Sequence, residues 1–244
     1  MGIFAYLGYF KRHEYLLKEV DEISSASCGA ILATMFALGF TPDQVLERFS
    51  RVDFDSIAKS NLQSLLKNYG LIDHEPLRDA LLEIMGSNPT FKDLDKKIYI
   101  SAFCVNRNQT EYFSVDTHPD MAVIEAILMS ISVPIMFSAY KHNDMMYVDG
   151  ATREKFPMLP FINRDHREIR HVDLVHGQGV RPGSIRNLKD FLSCMFESYM
   201  ANRNDYEFNG KCDLIDIEDT NIYNFSMTHD ERVRLYMIGY NTGC

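Results

Sequence analysis

Apolar residues at helical spacing open the chain. Phe4, Leu7, Phe10, Tyr15 and Leu16 fall near one face and predict a helix over residues 3–18. A short strand, roughly Glu22–Ala26, follows. After Ser27-Cys28-Gly29 the pattern turns at once into an apolar helix, Ala30–Leu38, which Gly39 ends as a residue that tolerates a left-handed backbone. Thr41-Pro42-Asp43 opens the next helix, with Thr41 as N-cap and Pro42 in the first position. Residues 54–86 predict two more amphipathic helices, with Pro76 early in the second. Lys97–Cys104 reads as a strand through Ile98, Tyr99, Ile100 and Phe103, and Gln109–Val115 pairs beside it. Met121–Ile131 predicts a helix, and Met145–Val148 a short strand that ends on Asp149-Gly150. A strand over Ile169–Val175, a helix over Asn187–Ala201, a strand over Cys212–Ile217 and a helix over Glu231–Gly239 complete the pattern.

Strands and helices alternate, which predicts an α/β fold with a mainly parallel sheet. Function in such sheets gathers at the carboxyl ends of strands. Two strand ends carry residues capable of chemistry, Ser27 and Asp149.

The length of 244 residues suits one large domain. Net charge is -9, from 25 basic and 34 acidic residues. That balance argues against nucleic acid as a partner, because phosphate contacts need clustered Lys and Arg. It argues equally against adhesion to anionic membrane through a polybasic patch. The cysteines Cys28, Cys104, Cys194, Cys212 and Cys244 show no CxxC spacing, so neither a zinc site nor a disulfide framework is expected. No cofactor is implied. Free thiols, no apolar run of membrane-spanning length and no signal-peptide layout make a cytoplasmic protein the expectation.

Residues 25–29 read Ser-Ala-Ser-Cys-Gly between a strand and a helix. A nucleophilic serine on a sharp strand–turn–helix needs small neighbours two positions to either side. Gly29 meets that need, and Ser25 meets it in part. Ser27 then stands at a helix N-terminus, where the macrodipole favours negative charge and the backbone N–H of Cys28 is free to donate. The competing reading is that Ser27 merely caps the helix, since serine is among the best N-caps. Asp149-Gly150 likewise reads, on its own, as a turn.

The two motifs gain meaning together. Ser25-Ala26-Ser27-Cys28-Gly29-Ala30 is followed by Ala37-Leu38-Gly39-Phe40-Thr41-Pro42, Thr90-Phe91-Lys92-Asp93-Leu94, Ser132-Val133-Pro134-Ile135-Met136-Phe137 and Tyr147-Val148-Asp149-Gly150-Ala151. In that order, over nearly the whole chain, these segments resemble the patatin-like phospholipase family. The resemblance implies a three-layer α/β/α sandwich with a mainly parallel central sheet, formed by residues 1–244 as a single domain. It implies a Ser–Asp dyad that cleaves phospholipid or lysophospholipid acyl esters, working transiently at a membrane or micelle surface. Ser27 is then the nucleophile and Asp149 accepts its proton, with Gly29 and Gly150 supporting elbow and turn. The backbone N–H groups of Cys28 and Gly2 are the implied oxyanion donors.

The chain departs from the family's pattern in three places. Ser25 replaces a usual glycine, and Lys155 stands where an asparagine often lies. The family also begins with a strand and a Gly-Gly-Gly-x-Arg-Gly loop, of which Met1-Gly2 matches only the end. The expectation is therefore an exposed sheet edge near Ser27 and weak hydrolysis, with further N-terminal residues in the native gene product. A catalytically silent relative that binds lipid or a protein partner is the alternative. A Ser-His-Asp triad ranks third, with His176 and His229 as the candidate bases. His13, His74, His166 and His171 lie in charged stretches and read as solvated surface.

Overall fold

The computed structural model describes residues 1–175, 185, 191 and 208–243. Two helices open the chain, α1 (Ile3–Arg12) and α2 (Glu14–Glu19), where one was expected. The break falls at His13, whose φ of -107° and ψ of 34° leave the helical region. His13 is buried, and its Nδ1 lies 3.0 Å from the carbonyl oxygen of Tyr9. It is therefore not the surface residue that its charged neighbours predict.

β1 (Glu22–Ser25) leads through the Ser27 turn into α3 (Cys28–Ala37). Gly39, at φ 81°, ends that segment as expected. α4 (Pro42–Ser50) carries a full capping box: the Thr41 hydroxyl accepts from Gln44 N–H, and the Gln44 side chain accepts from Thr41 N–H.

The stretch 54–86 holds more elements than the predicted pair of helices. They are α5 (Phe54–Ile57), α6 (Leu62–Asn68), β2 (Gly70–Ile72) and α7 (Glu75–Met85). Local capping explains the subdivision. The side chains of Asp53 and Asn61 each accept backbone N–H groups and start a helix, and Tyr69 in the left-handed region, at φ 65°, stops α6.

β3 (Lys97–Cys104), β4 (Gln109–Phe113) and α8 (Val123–Ser130) come next. β5 (Ile135–Phe137), β6 (Tyr140–His142) and β7 (Met145–Asp149) follow. β8 (Arg170–Val175), β9 (Lys211–Asp216) and α9 (His229–Asn241) complete the described chain. The helix expected over Asn187–Ala201 lies, apart from Phe191, outside the described residues.

The central sheet has the order β1-β3-β7-β6, with β4 also paired to β3. β1 and β3 are parallel, whereas β4 and β7 run antiparallel to β3, and β6 antiparallel to β7, so among the described residues the central sheet is mixed and not mainly parallel as expected. Two small parallel sheets, β2–β5 and β8–β9, stand beside it. α3 and α8 pack on this sheet and on each other. Both are largely apolar, as helices enclosed on most sides must be, with Glu125 the charged residue of α8, and Ala30–Ala37 and Ile124, Ala126, Ile127, Leu128 and Met129 are buried. No described helix is long and apolar enough to cross a membrane.

Candidate active site

The register of β3 brings the two candidate residues together. Ser25 pairs with Ile100, and Asp149 pairs with Ala102. Ile100 and Ala102 also pair with β4, through Phe113 and Glu111. A strand residue cannot pair twice on one side, so β1 and β7 share the opposite edge of β3. They run along that edge in opposing directions, and their carboxyl ends meet across Ser101. The Ser101 hydroxyl donates to the Ser25 carbonyl at 3.3 Å, tying the junction.

Ser27 follows β1 with φ 53° and ψ -135°, a region in which an L-residue is strained. It holds the N-cap position of α3, yet its side chain makes no capping hydrogen bond. The hydroxyl is left for other work. Ser27 N–H donates to the Ser130 hydroxyl at 2.9 Å. Cys28 is the first residue of α3, so its N–H has no partner within the helix. Gly29 is not forced by space: a Cβ there would meet only the Cβ of Ser25, at an ordinary 3.7 Å.

Asp149 is 1% exposed. Its Oδ1 accepts from Ala151 N–H at 2.9 Å, and its own N–H donates to the Ser132 carbonyl at 2.9 Å. Burial pushes its pKa up to about 7, against the lowering influence of the Ser27 hydroxyl and the Ala151 N–H. The hydroxyl interacts with this carboxyl without completing a hydrogen bond. Oδ2 remains buried with no partner among the described residues.

Ser27 and Asp149 open into a cavity of about 1190 Å³ whose walls include β1, the elbow and β8. Leu32, Phe36, Phe161 and Leu174 give it an apolar wall, while Asp21, Glu22, Arg164, Glu168 and Arg170 add charge to the lining. Its size exceeds the roughly 300–1,000 Å³ of ordinary small-molecule sites. Among the described residues β1 pairs with β3 alone, so it is an edge strand of the central sheet. Lys155 and Asp173 also line the cavity and form an ion pair at 2.7 Å. Gly2 packs against Leu174 and Ile222, two residues of the cavity wall. Burial, with Asp149 and Asp173 nearby, raises the Cys28 thiol to about 11, so its sulfur stays protonated and un-nucleophilic at neutral pH.

A family model described as patatin-like phospholipase matches residues 1–162. The chain belongs to the patatin-like phospholipase family. Two viral proteins are similar to this patatin-like chain. Uncharacterized protein R571 of Acanthamoeba polyphaga mimivirus is 27% identical over 150 residues, covering 58% of this chain and 50% of that protein. Probable lipid hydrolase 463L of Invertebrate iridescent virus 6 is 24% identical over 166 residues, covering 62% and 57%. The chain thus spans about half the length of these two relatives. Among solved structures, VipD from Legionella pneumophila aligns with a TM-score of 0.63 at 15% identity, over 97% of this chain and 63% of that one. The type III effector protein ExoU aligns with a TM-score of 0.52 at 14% identity, over 99% and 50%. These two likenesses concern the fold, which is the patatin-like α/β fold expected from the sequence.

The histidines of this patatin-like chain divide differently from expectation. His229 is exposed at the start of α9, and His176 lies outside the described residues. His74 is largely enclosed. Its Nε2 lies 2.8 Å from the Ser132 hydroxyl, and burial lowers its pKa to about 4. His171 packs edge-on against Phe156 at 4.1 Å, and burial lowers its pKa too. Neither is the solvated residue its sequence neighbours predict. Sequence reading also passed over Ser130, which looks like one more position at the end of an apolar helix.

Proposed function

We propose that this patatin-like chain hydrolyses lipid acyl esters, with Ser27 as nucleophile and Asp149 as its general base. The observation that carries the reading is a buried Asp149 carboxyl, its Oδ2 without a partner among the described residues, within the influence of the hydroxyl of the strained, uncapped Ser27. A serine hydroxyl needs a base within reach, and an ordinary carboxylate is too weak a base at neutral pH. Held near 7, Asp149 is a stronger base than an ordinary carboxylate and suits general-base work near neutral pH.

The chemistry runs in two halves. Ser27 Oγ attacks the ester carbonyl carbon as its proton passes to Asp149 Oδ2. The carbonyl oxygen becomes an oxyanion, and the backbone N–H of Cys28, with that of Gly2, is the proposed donor to it. Collapse breaks the bond to the alcohol, which takes the proton from Asp149 and leaves an acyl-Ser27. Water then attacks, giving its proton to Asp149, and the carboxylic acid departs as Ser27 recovers its proton. The apolar wall of the cavity suits an acyl chain, supplied from a phospholipid or lysophospholipid at a membrane or micelle surface. No metal or cofactor enters this scheme. The free thiols Cys28, Cys104 and Cys212 accord with a cytoplasmic setting.

The test is labelling by a fluorophosphonate probe together with turnover of a chromogenic ester. Ser27→Ala is expected to lose both, and Asp149→Asn to lose turnover. Exchange of each histidine for glutamine, His171 included, is expected to leave turnover within a few-fold. Label persisting in Ser27→Ala, or one histidine variant as inactive as Ser27→Ala, overturns the dyad.

A further inference from the structure

One short turn touches both members of the proposed dyad. α8 ends at Ser130, whose hydroxyl is fully buried and accepts the Ser27 N–H at 2.9 Å. Two residues on, the Ser132 carbonyl accepts the Asp149 N–H at 2.9 Å. Ser27 and Asp149 come from different strands, far apart in the chain, and the register of β3 sets those strand ends side by side. The turn Ser130–Ser132 adds a direct tie between them, because it holds one by a side chain and the other by its backbone.

The turn is itself anchored. Ile131 N–H donates to the Ile127 carbonyl at 2.9 Å, continuing the helix ladder. The Ser132 hydroxyl donates to the Leu128 carbonyl at 2.6 Å. That bond uses the only proton of the hydroxyl, so His74 Nε2, 2.8 Å away, must be the donor to Ser132. A neutral imidazole protonated on Nε2 does this, and burial keeps His74 neutral at the pH of interest. The ring of His74 also stands edge-on to Tyr140 at 5.0 Å, and Tyr140 is held by Glu125 of α8 and Arg78 of α7.

We propose that Ser130 and Ser132 form a positioning clamp that sets the distance between Ser27 and Asp149, with His74 as its outer anchor. The inference rests on the dyad reading. Ser130 touches no reacting atom in it. It acts through the backbone of Ser27, whose strained conformation needs an acceptor on that N–H to persist. Misplacement of a nucleophile by about 1 Å costs on the order of 10²-fold in rate. Loss of the clamp is therefore expected in kcat and not in KM, since the acyl cavity is untouched.

The experiment compares wild type, Ser130→Ala and Ser130→Cys. Each is assayed for ester turnover across pH, for fluorophosphonate labelling rate and for hydrogen exchange at the elbow. Ser130→Ala is expected to lower kcat by about 10- to 100-fold with KM unchanged, and to speed exchange of the Ser27 amide. The pH midpoint of kcat/KM should also move upward. The Ser27 hydroxyl holds the Asp149 pKa down, and a nucleophile that drifts away releases that hold. A general loss of stability moves neither midpoint nor the kcat-to-KM split. Ser130→Cys keeps the volume with a weaker acceptor, so it should fall between the two, and it serves if the alanine variant does not fold. An active wild type with both variants at wild-type kcat and midpoint overturns the clamp alone. A wild type that neither labels nor turns over ester overturns the dyad reading, and the clamp with it.

Discussion

Gly150 lies directly against Ser101. A Cβ at residue 150 would stand 2.2 Å from the Ser101 carbonyl oxygen and 2.4 Å from its hydroxyl oxygen. The clash is largely with the backbone of β3, which is pinned between β1, β4 and β7 and cannot yield. The glycine after Asp149 is thus required by close approach, not by a left-handed backbone.

It follows that Gly150→Ala displaces Asp149 from β3. The expected stability loss is at least the ~1–3 kcal/mol typical of overpacking, with turnover falling further than the loss of folded protein explains. Thermal denaturation read beside turnover per folded molecule checks this. By contrast, Gly29→Ala has room against Ser25 and should change stability far less. Equal damage from both substitutions would show that the Ser101 contact is not what fixes the turn.

The pH dependence follows from Asp149. A general base must be ionised to act, and its pKa is raised to about 7. The ratio kcat/KM should therefore rise tenfold per pH unit below about 7 and level off above it. His74, lowered to about 4, should contribute no inflection near neutrality. A profile with its midpoint near 4 would mean that Asp149 is not held in the environment described.

Much of this site is legible in the sequence, and for physical reasons. Ser27 and Asp149 each end a run with strand character and precede a glycine-containing turn, and such local grammar survives without knowledge of pairing. β3 was readable to its ends because apolar β-formers fill Lys97–Cys104. What stayed hidden is non-local. That β7 runs antiparallel along the edge shared with β1 depends on register with β3. β2 and β5, with 3 residues each, are too short to show an alternation. His13, His74 and His171 were misread because charged sequence neighbours say little about the face a side chain takes. Ser130 gave no signal because its role is a single bond to the backbone of a distant residue.

Stability and activity should part company at Asp149. Its folded-state pKa, about 7, lies above the unfolded value of 3.8. The folded protein therefore binds this proton more tightly. Its contribution to stability is greatest below the unfolded pKa, is lost as pH rises towards 7, and is fully lost above. The difference corresponds to up to about 4 kcal/mol. Asp149→Asn removes the buried charge, and its amide can donate to the Ser27 hydroxyl. At pH 8 the variant should melt above wild type while turnover falls by about 10²–10⁴-fold. At pH 4 the stability advantage should vanish. A variant less stable than wild type at pH 8 would show that ionised Asp149 is better solvated than its burial implies.

The last expectation concerns the strain at Ser27. At φ 53° and ψ -135° the residue occupies a conformation that glycine adopts freely and other residues adopt at a cost of about 1–3 kcal/mol. Two substitutions separate that strain from the chemistry. Ser27→Ala removes the hydroxyl but keeps the Cβ, and so keeps the strain. Since the hydroxyl caps nothing, no capping energy is lost with it. Ser27→Gly removes both hydroxyl and Cβ. Glycine also gains disorder in the unfolded chain, which offsets part of the relief. The balance favours relief, because a positive φ is the one setting in which glycine's freedom is used in the native state. Ser27→Gly should therefore be more stable than Ser27→Ala by about 1 kcal/mol, with both devoid of turnover. Denaturant titration of the two variants, compared at equal m-value, measures the difference. If the alanine variant is the more stable of the two, the elbow is not strained at this residue, and the backbone of Ser27 is held for some reason other than presenting its hydroxyl.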